Sequence, residues 1–122
     1  MAKNIKILLV EDEVVTAMLV TMQLKRIGYE LVEHVTTGED AIVSARKNAP
    51  DIILMDIRLA GDMDGIEAAK VIQSEKRVSI LFLTSYDDQV TRMRAEKLKP
   101  LAYLIKPLDV DIFAKIAEAS FP

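Results

Sequence analysis

The chain has 122 residues with 16 basic and 19 acidic side chains, which gives a formal net charge of −3 at pH 7. This length suits one domain around one hydrophobic core, and a content of 51% hydrophobic and 29% charged residues excludes an intrinsically disordered chain. The absence of cysteine excludes a disulfide framework, a thiolate metal site and a cysteine nucleophile.

The composition also bears on partners and location. A weakly acidic chain with three Phe, three Tyr and no Trp does not predict a basic, aromatic surface for nucleic acid. The apolar runs fall short of the roughly 18–20 residues of a membrane span, and Lys6 interrupts the first of them, which argues against a secretory leader. We therefore expect a cytoplasmic domain over residues 1–122 that binds neither nucleic acid nor membrane.

Five short apolar runs of strand length predict the strands. In the stronger runs successive residues are apolar, rather than every second one, which is typical of strands buried on both faces of a parallel sheet. In chain order the predicted strands are residues 7–10, 31–35, 52–55, 80–83 and 101–105, of which the second and the fifth are the weaker.

The first predicted helix covers residues 13–27 and is followed by Gly28, a common residue just past a helix end. Four large apolar side chains recur in this helix at helical spacing. We expect this face to pack in the core, with the methionines as adaptable filler. The four residues are Val15, Met18, Leu19 and Met22.

The later helices begin at capping signals, namely Thr37, Asp64 and Asp109. The helix predicted at residues 87–98 has few apolar residues, so we expect it to pack loosely. Strands and helices alternate along the whole chain, which predicts an α/β fold with a doubly wound, five-stranded parallel sheet.

In such a sheet the ligand site lies beyond the carboxyl ends of the strands, where the strand order reverses. For the order 2-1-3-4-5 this point lies between the first and third strands. The residues that come next after the predicted strands are Glu11 and Asp12 after the first, Asp56 after the third, Thr84 after the fourth and Lys106 after the fifth.

The chemistry of this group is restrictive. Two carboxylates ~4 Å apart repel by roughly 4 kcal/mol at an effective dielectric of 20, so three together need a cation or a proton. An all-oxygen site of this kind suits Mg²⁺. A carboxylate beside Mg²⁺, a lysine and a hydroxyl can attack a phosphoryl group and form an acyl phosphate. Each residue alone has an ordinary explanation as a cap, turn or loop residue; the combination is what indicates a site.

The sequence resembles a response-regulator receiver domain of the chemotaxis-regulator type, the phosphoacceptor module of two-component signalling. The resemblance covers essentially the whole chain and is carried by ILLVEDE, DIILMDIRL, MDGIEAA, ILFLTSY and AYLIKPL. It implies a flavodoxin-like (βα)5 three-layer sandwich with strand order 2-1-3-4-5. It also implies Mg²⁺ as cofactor, with Mn²⁺ as a substitute.

The resemblance implies a role for each matching residue. Asp56 is the phosphoacceptor, assisted by Thr84 and by Lys106, which precedes Pro107 across a cis bond. Thr84 and Tyr103 form the switch, which reshapes the surface of the fourth helix, fifth strand and fifth helix. The implied metal ligands are Glu11, Asp12, Asp56 and the main-chain carbonyl of Arg58, and the residues that tune the lifetime of the phosphoryl group are Arg58 and Tyr86.

The implied partner is a sensor histidine kinase or a histidine phosphotransfer protein, with an output domain after Pro122 as a further possibility. The domain would not be an enzyme, since it promotes only its own phosphorylation and dephosphorylation. Two features depart from the common pattern. The loop at residues 57–65 is one residue longer and lacks a proline, and Ser85 stands where many relatives have Ala or Gly.

Two other metal-dependent classes compete with this interpretation. A small phosphatase of the haloacid-dehalogenase type also uses an aspartyl phosphate, but it needs an acid at the position of Arg58. A Toprim-type nuclease or primase would pair Glu11 with Asp62 and Asp64, but these two residues follow a loop rather than a strand. His34, the one histidine, is interpreted as structural or solvent-facing rather than as a phosphohistidine.

Overall fold

The computed structural model describes residues 4–122. Strands and helices alternate through all of it; the first four helices each connect one strand to the next, and the fifth follows the last strand. The strands are β1 (Ile7–Val10), β2 (Leu31–Val35), β3 (Ile52–Met55), β4 (Ser79–Thr84) and β5 (Ala102–Ile105). The helices are α1 (Val14–Arg26), α2 (Gly38–Asn48), α3 (Gly65–Glu75), α4 (Gln89–Glu96) and α5 (Val110–Ser120).

The five strands form one parallel sheet in the order β2-β1-β3-β4-β5. This confirms the predicted fold class and strand order. The order reverses at β1, whose two neighbours are β2 and β3. The carboxyl ends of β1 and β3 are in register, since Val10 pairs with Met55. The residues after these two strands are therefore neighbours in space.

Two hydrophobic cores lie on opposite faces of the sheet, because successive residues of a strand point to opposite sides. On one face, Leu8, Ile53 and Phe82 pack with α2 and α3. On the other face, Leu9 and Leu54 pack with α1 and α5. Both faces are covered, which explains why the strand sequences are apolar at successive positions.

The predicted capping residues begin the helices. The Thr37 side chain accepts a hydrogen bond from the main-chain N–H of Asp40. Asp64 and Glu67 form a reciprocal capping box at the start of α3. Asp109 caps α5. Caps of this kind satisfy main-chain N–H groups that have no partner within the helix.

The predicted core face of α1 is wrong. Val15, Met18, Leu19 and Met22 are 79%, 60%, 48% and 58% exposed, and the residues that α1 buries are Ala17, Val20 and Leu24. Residues 14–24 contain no charged side chain, so apolar residues recur at helical spacing on more than one face. The face that packs against the sheet is the one with the small Ala17, which allows close approach. The methionines are therefore not core filler.

Smaller differences concern the ends of elements. Thr84 is the last residue of β4 rather than the residue after it, and β5 begins at Ala102 rather than at residue 101. The α4 helix is shorter than predicted, with Asp88 as its cap. Ala95 is the one α4 residue that is fully buried, which confirms the expected loose packing of this helix.

The long β3–α3 loop is attached near its middle and closed where its two ends meet. Near the middle, Ala60 pairs with Thr37 in an isolated parallel bridge. At the ends, the Gly65 N–H donates to the carbonyl of Ile57 at 2.7 Å. A Cβ atom at Gly65 would lie 1.9 Å from the main-chain oxygen of Asp56. Glycine is therefore required at this point, because a side chain there would displace the main chain of Asp56.

Within residues 4–122, every helix is too short or too polar to traverse a lipid bilayer.

Candidate functional site

Three acidic residues meet at the carboxyl ends of β1 and β3. Main-chain hydrogen bonds continue the strand pairing to two of them. The Asp56 N–H donates to the Val10 carbonyl and the Glu11 N–H donates to the Val35 carbonyl, both at 3.0 Å. One carboxylate oxygen each of Glu11, Asp12 and Asp56 lies within 4.8 Å of the other two. Glu11 and Asp56 are 2% and 6% exposed, and Asp12 is half-buried.

The Lys106 ammonium joins two of these carboxylates. Its Nζ lies 2.6 Å from Oε1 of Glu11 and 2.9 Å from Oδ2 of Asp56. The exposed carboxylate of Glu13 is more distant, at 3.8 Å. The main-chain N–H of Lys106 donates to the carbonyl of Thr84 at 2.9 Å, which fixes the end of β5 beside β4. The Lys106–Pro107 peptide bond is cis.

The charges in this cluster shift two pKa values. Burial raises the pKa of Glu11, and the negative charge of Asp56 adds to this, although hydrogen bonds from Lys106 and the Glu13 N–H oppose it. Burial disfavours the charged form of Lys106, but its hydrogen bonds to Glu11 and Asp56 and their negative charges outweigh that effect, so its pKa is raised. The site therefore keeps the lysine charged.

The donor set fits a small hard cation. Three carboxylates and one ammonium leave two negative charges (−3 + 1 = −2), which one divalent cation would balance, and every donor is an oxygen atom. Among the side-chain hydrogen bonds and ion pairs within residues 4–122, none uses the Asp12 carboxylate. The main-chain carbonyl of Arg58 stays a prediction as the fourth ligand.

The predicted switch residues lie beside this cluster. Thr84 is fully buried at the end of β4, and its Oγ1 accepts a hydrogen bond from the Tyr86 N–H at 3.3 Å. Tyr103 in β5 is 8% exposed, and its hydroxyl donates to the main-chain carbonyl of Tyr86 at 2.7 Å. One short loop after β4 thus contacts both predicted switch residues.

The two predicted lifetime residues contact one another. The guanidinium carbon of Arg58 lies 3.9 Å from the centre of the Tyr86 ring, which is a cation–π contact. Arg58 belongs to the β3–α3 loop and Tyr86 to the β4–α4 loop, and both side chains are exposed. The structure therefore brings together the two residues that follow Asp56 and Thr84 by two positions.

Sequence reasoning missed two contacts of the site. His34 Nε2 lies 2.8 Å from the main-chain oxygen of Glu11, and because that partner accepts only, Nε2 carries the proton. Arg92 lies over Tyr103, 4.7 Å from the ring centre, and pairs with Asp87 at 2.7 Å. The pairing of β2 with β1 places His34 opposite Leu9, two residues before Glu11. The strand register could therefore have indicated the contact between His34 and Glu11.

The fold and this strand-end cluster define a class of protein that the comparisons identify. Residues 7–118 match the family of the response regulator receiver domain. The chain belongs to this family, whose members are signalling modules of two-component systems and work with histidine kinases and output domains.

Particular relatives are similar to this chain. The transcriptional regulatory protein PdtaR of Mycobacterium tuberculosis is 32% identical over 105 residues, which are 86% of this chain and 51% of that protein. ZraR of Escherichia coli is 36% identical over 109 residues, which are 88% and 24% of the two proteins. This chain thus spans about half or less of these relatives. The signal receiver domain of a modulated diguanylate cyclase from Desulfovibrio desulfuricans has a TM-score of 0.88 and 35% identity, covering 94% of this chain and 91% of that one.

Proposed function

We propose that Asp56 accepts a phosphoryl group from the phosphohistidine of a sensor histidine kinase or a histidine phosphotransfer protein. The observation that carries this proposal is the buried Asp56 carboxylate, bound by Lys106 and placed beside two further carboxylates. An Asp56 oxygen forms the new bond to phosphorus while the bond from phosphorus to the histidine nitrogen breaks. The released imidazole keeps the electron pair and takes up a proton from water.

The chain's own residues have distinct parts in this transfer. Lys106, already 2.9 Å from Asp56, would contact the phosphoryl oxygens, and the Thr84 hydroxyl would donate to one of them. Asp12, Asp56, Glu11 and the Arg58 carbonyl would hold Mg²⁺, or Mn²⁺ in its place. The cation would supply positive charge against the phosphoryl oxygens.

The exposed apolar face of α1 supports a protein as the phosphodonor. This helix begins directly after the acidic residues 11–13, and Met18, Leu19 and Met22 project from it into solvent. A contiguous apolar patch of this kind marks an interaction surface. A donor that brings its histidine to Asp56 would cover this face, which accounts for side chains that do not serve the core.

The switch would connect the site to the surface of α4, β5 and α5. Recruitment of the Thr84 hydroxyl to the phosphoryl group changes the surroundings of Tyr103, whose hydroxyl is held by the same loop. The exposed apolar residues of these elements are Val90, Met93, Ile105 and Ile112. An output domain, after Pro122 or on a separate chain, would respond to this surface.

We place the receiver domain, residues 1–122, in the cytoplasm, where ATP supplies the phosphoryl groups of such donors.

The contact between Arg58 and Tyr86 would lengthen the lifetime of the phosphoryl group. Hydrolysis needs a water in line with the bond that breaks, and the stacked side chains of Arg58 and Tyr86, on the loops that follow Asp56 and Thr84, would obstruct its approach. The combined change of Arg58→Gly and Tyr86→Ala should speed the spontaneous loss of phosphate several-fold. An unchanged or slower loss in the double variant would contradict the shielding role.

Incubation with acetyl phosphate and Mg²⁺ tests the proposed function. Intact-mass spectrometry should show one added phosphoryl group per chain, and none on Asp56→Asn. The matched control is Asp62→Asn, which changes an exposed acidic residue of the adjoining loop and should leave uptake intact. Continuous turnover of the donor without a lasting adduct would instead indicate the phosphatase alternative, and an adduct on Asp56→Asn would contradict the assignment.

A further inference from the structure

Tyr86 is held at three points, one on its ring and two on its main chain. The Arg58 guanidinium covers the ring at 3.9 Å. The Tyr86 N–H donates to Thr84 Oγ1 at 3.3 Å, and the Tyr86 carbonyl accepts from the Tyr103 hydroxyl at 2.7 Å. Tyr86, two residues after the switch threonine, is therefore a junction between the β3–α3 loop, the end of β4 and β5.

Tyr103 is buried in this arrangement. Its ring lies 6.3 Å from that of Phe82 on the core side, and the Arg92 guanidinium covers it at 4.7 Å. The hydroxyl has the Tyr86 carbonyl as its hydrogen-bond partner. A buried phenol without a partner is disfavoured, so the buried position of Tyr103 depends on where the Tyr86 carbonyl lies.

The position of that carbonyl depends in turn on an exposed loop. Residues 85–90 are all exposed, so core packing does not fix the Tyr86 main chain. Outside its own loop, Tyr86 donates its N–H to Thr84 at the end of β4, stacks with Arg58 and accepts the hydrogen bond of the Tyr103 hydroxyl. Arg58 lies on the loop that follows Asp56, which is anchored at its far end by the capping box of Asp64 and Glu67 and by the hydrogen bond from the Gly65 N–H to Ile57.

We propose that Arg58 is a positioning residue for the switch. Its guanidinium holds the Tyr86 ring, keeps the Tyr86 carbonyl directed at Tyr103, and so favours the buried position of Tyr103 before any phosphoryl transfer. This extends the proposed function, on which it rests for the role of Tyr103 as the switch residue. It differs from shielding, because it acts on the resting population of the switch and needs no phosphoryl group.

The expected size of the effect follows from the nature of the contact. Cation–π contacts at exposed sites change an equilibrium by about two- to fivefold. Loss of the stack should therefore raise the ratio of exposed to buried Tyr103 by that factor. Before phosphorylation, a smaller fraction of the molecules would then have Tyr103 buried. Phosphorylation would start from this smaller fraction, and the population it reaches depends on where the equilibrium begins.

The test measures Tyr103 directly in a protein that cannot be phosphorylated. 3-Fluorotyrosine is placed at position 103 alone, in the Asp56→Asn background, and the fluorine shift between H₂O and D₂O reports the exposed fraction. Arg58→Ala and Tyr86→Leu should each raise the ratio of exposed to buried Tyr103 about two- to fivefold, and the double variant should raise it no further. Tyr86→Phe keeps the ring face and should match the parent.

The control is Arg77→Ala, which removes an exposed arginine of the α3–β4 connection, just beyond the C-terminal end of α3 and away from both loops. It should leave Tyr103 buried, and thermal unfolding of each variant verifies that the domain folds. An unchanged Tyr103 in Arg58→Ala would overturn the proposal, as would a Tyr86→Phe variant that behaves like Tyr86→Leu. Because no phosphoryl group is involved, failure here is distinct from failure of Asp56 as acceptor.

Discussion

Lys106 is the side chain on which the electrostatics of the site depend most directly. Its ammonium lies between the carboxylates of Glu11 and Asp56, and all three side chains are at most 12% exposed. Buried carboxylates need a partner, since removal of one member of a buried pair leaves an uncompensated charge. The lysine therefore stabilises the metal-free site as well as contacting the proposed phosphoryl group.

Replacement of this lysine should weaken the metal-free fold at neutral pH. Lys106→Met leaves Glu11 and Asp56 without their common cation, so the free energy of unfolding should fall by about 3–5 kcal/mol. Saturating Mg²⁺ should restore part of the loss. Urea denaturation with and without Mg²⁺ measures both effects, with Lys115→Met on the exposed surface of α5 as the control. Equal stability of Lys106→Met and the parent would contradict this account of the cluster.

The two acidic residues after β1 should contribute unequally to metal binding. The Glu11 carboxylate already binds Lys106 and accepts from the Glu13 N–H at 3.1 Å, whereas Asp12 has no such contact among the described residues. Asp12→Ala should weaken Mg²⁺ binding about tenfold or more, and Glu11→Ala by less. Titration of amide shifts with Mg²⁺ gives both affinities, with Glu13→Ala as the control. An equal loss of Mg²⁺ affinity in the two variants, or a larger loss in Glu11→Ala, would contradict this difference between the two residues.

At the scale of single elements, the strands were predicted far better than the faces of the helices. A run such as Ile52–Met55 has one possible environment, because a continuous apolar strand must be covered on both sides. The α1 helix is apolar on several faces, so its sequence does not show which one meets the sheet. Burial of Ala17 and Val20 is decided by how closely the helix approaches the sheet, which is a tertiary effect.

The candidate site was predictable because it follows from strand order. Once the sheet order is known, the residues after β1, β3 and β5 must meet at one edge, and Glu11, Asp56 and Lys106 do. Contacts made by long exposed side chains were not predictable to the same degree. The stack of Arg58 on Tyr86 depends on the path of two loops, the β3–α3 loop and the β4–α4 loop.

Helix α1 allows a direct test of which face supports the fold. Leu24 is fully buried and Met18 is 60% exposed. Leu24→Ala should lower the free energy of unfolding by about 2–4 kcal/mol, because it removes buried methyl groups and leaves a cavity. Met18→Gln should change it by less than about 0.5 kcal/mol. Chemical denaturation measures both, and a larger loss for Met18→Gln would restore the original prediction for this helix.

At the scale of the whole molecule, stability should fall as the pH rises above about 10. Burial raises the pKa of Tyr29 and Tyr103 above the usual 10.0. The pKa of Lys106 is raised above 10.5 because its carboxylate partners outweigh burial. For all three groups the folded state holds the proton more tightly than the unfolded state. Their contribution is therefore complete below the unfolded pKa values and is lost as the pH rises through the folded ones.

Unfolding in urea between pH 8 and pH 11 measures this dependence. The free energy of unfolding should decline through the upper part of the range, and the decline should be shallower in Tyr103→Phe, which has no phenol to ionise there. Tyr86→Phe is the matched control, since it removes an exposed phenol of the same kind. Stability that rises with pH across this range, or a decline that Tyr103→Phe leaves unchanged, would contradict the predicted direction.

The central claim is that one carboxylate in the whole molecule, that of Asp56, becomes an acyl phosphate. Sodium borohydride reduces an aspartyl phosphate to homoserine and leaves free carboxylates intact. After incubation with acetyl phosphate and Mg²⁺, followed by reduction, tandem mass spectrometry of the peptides should find homoserine at position 56, and it should disappear when Mg²⁺ is chelated beforehand. Homoserine at position 11, 12 or 62, or at no position while the donor is consumed, would contradict the claim.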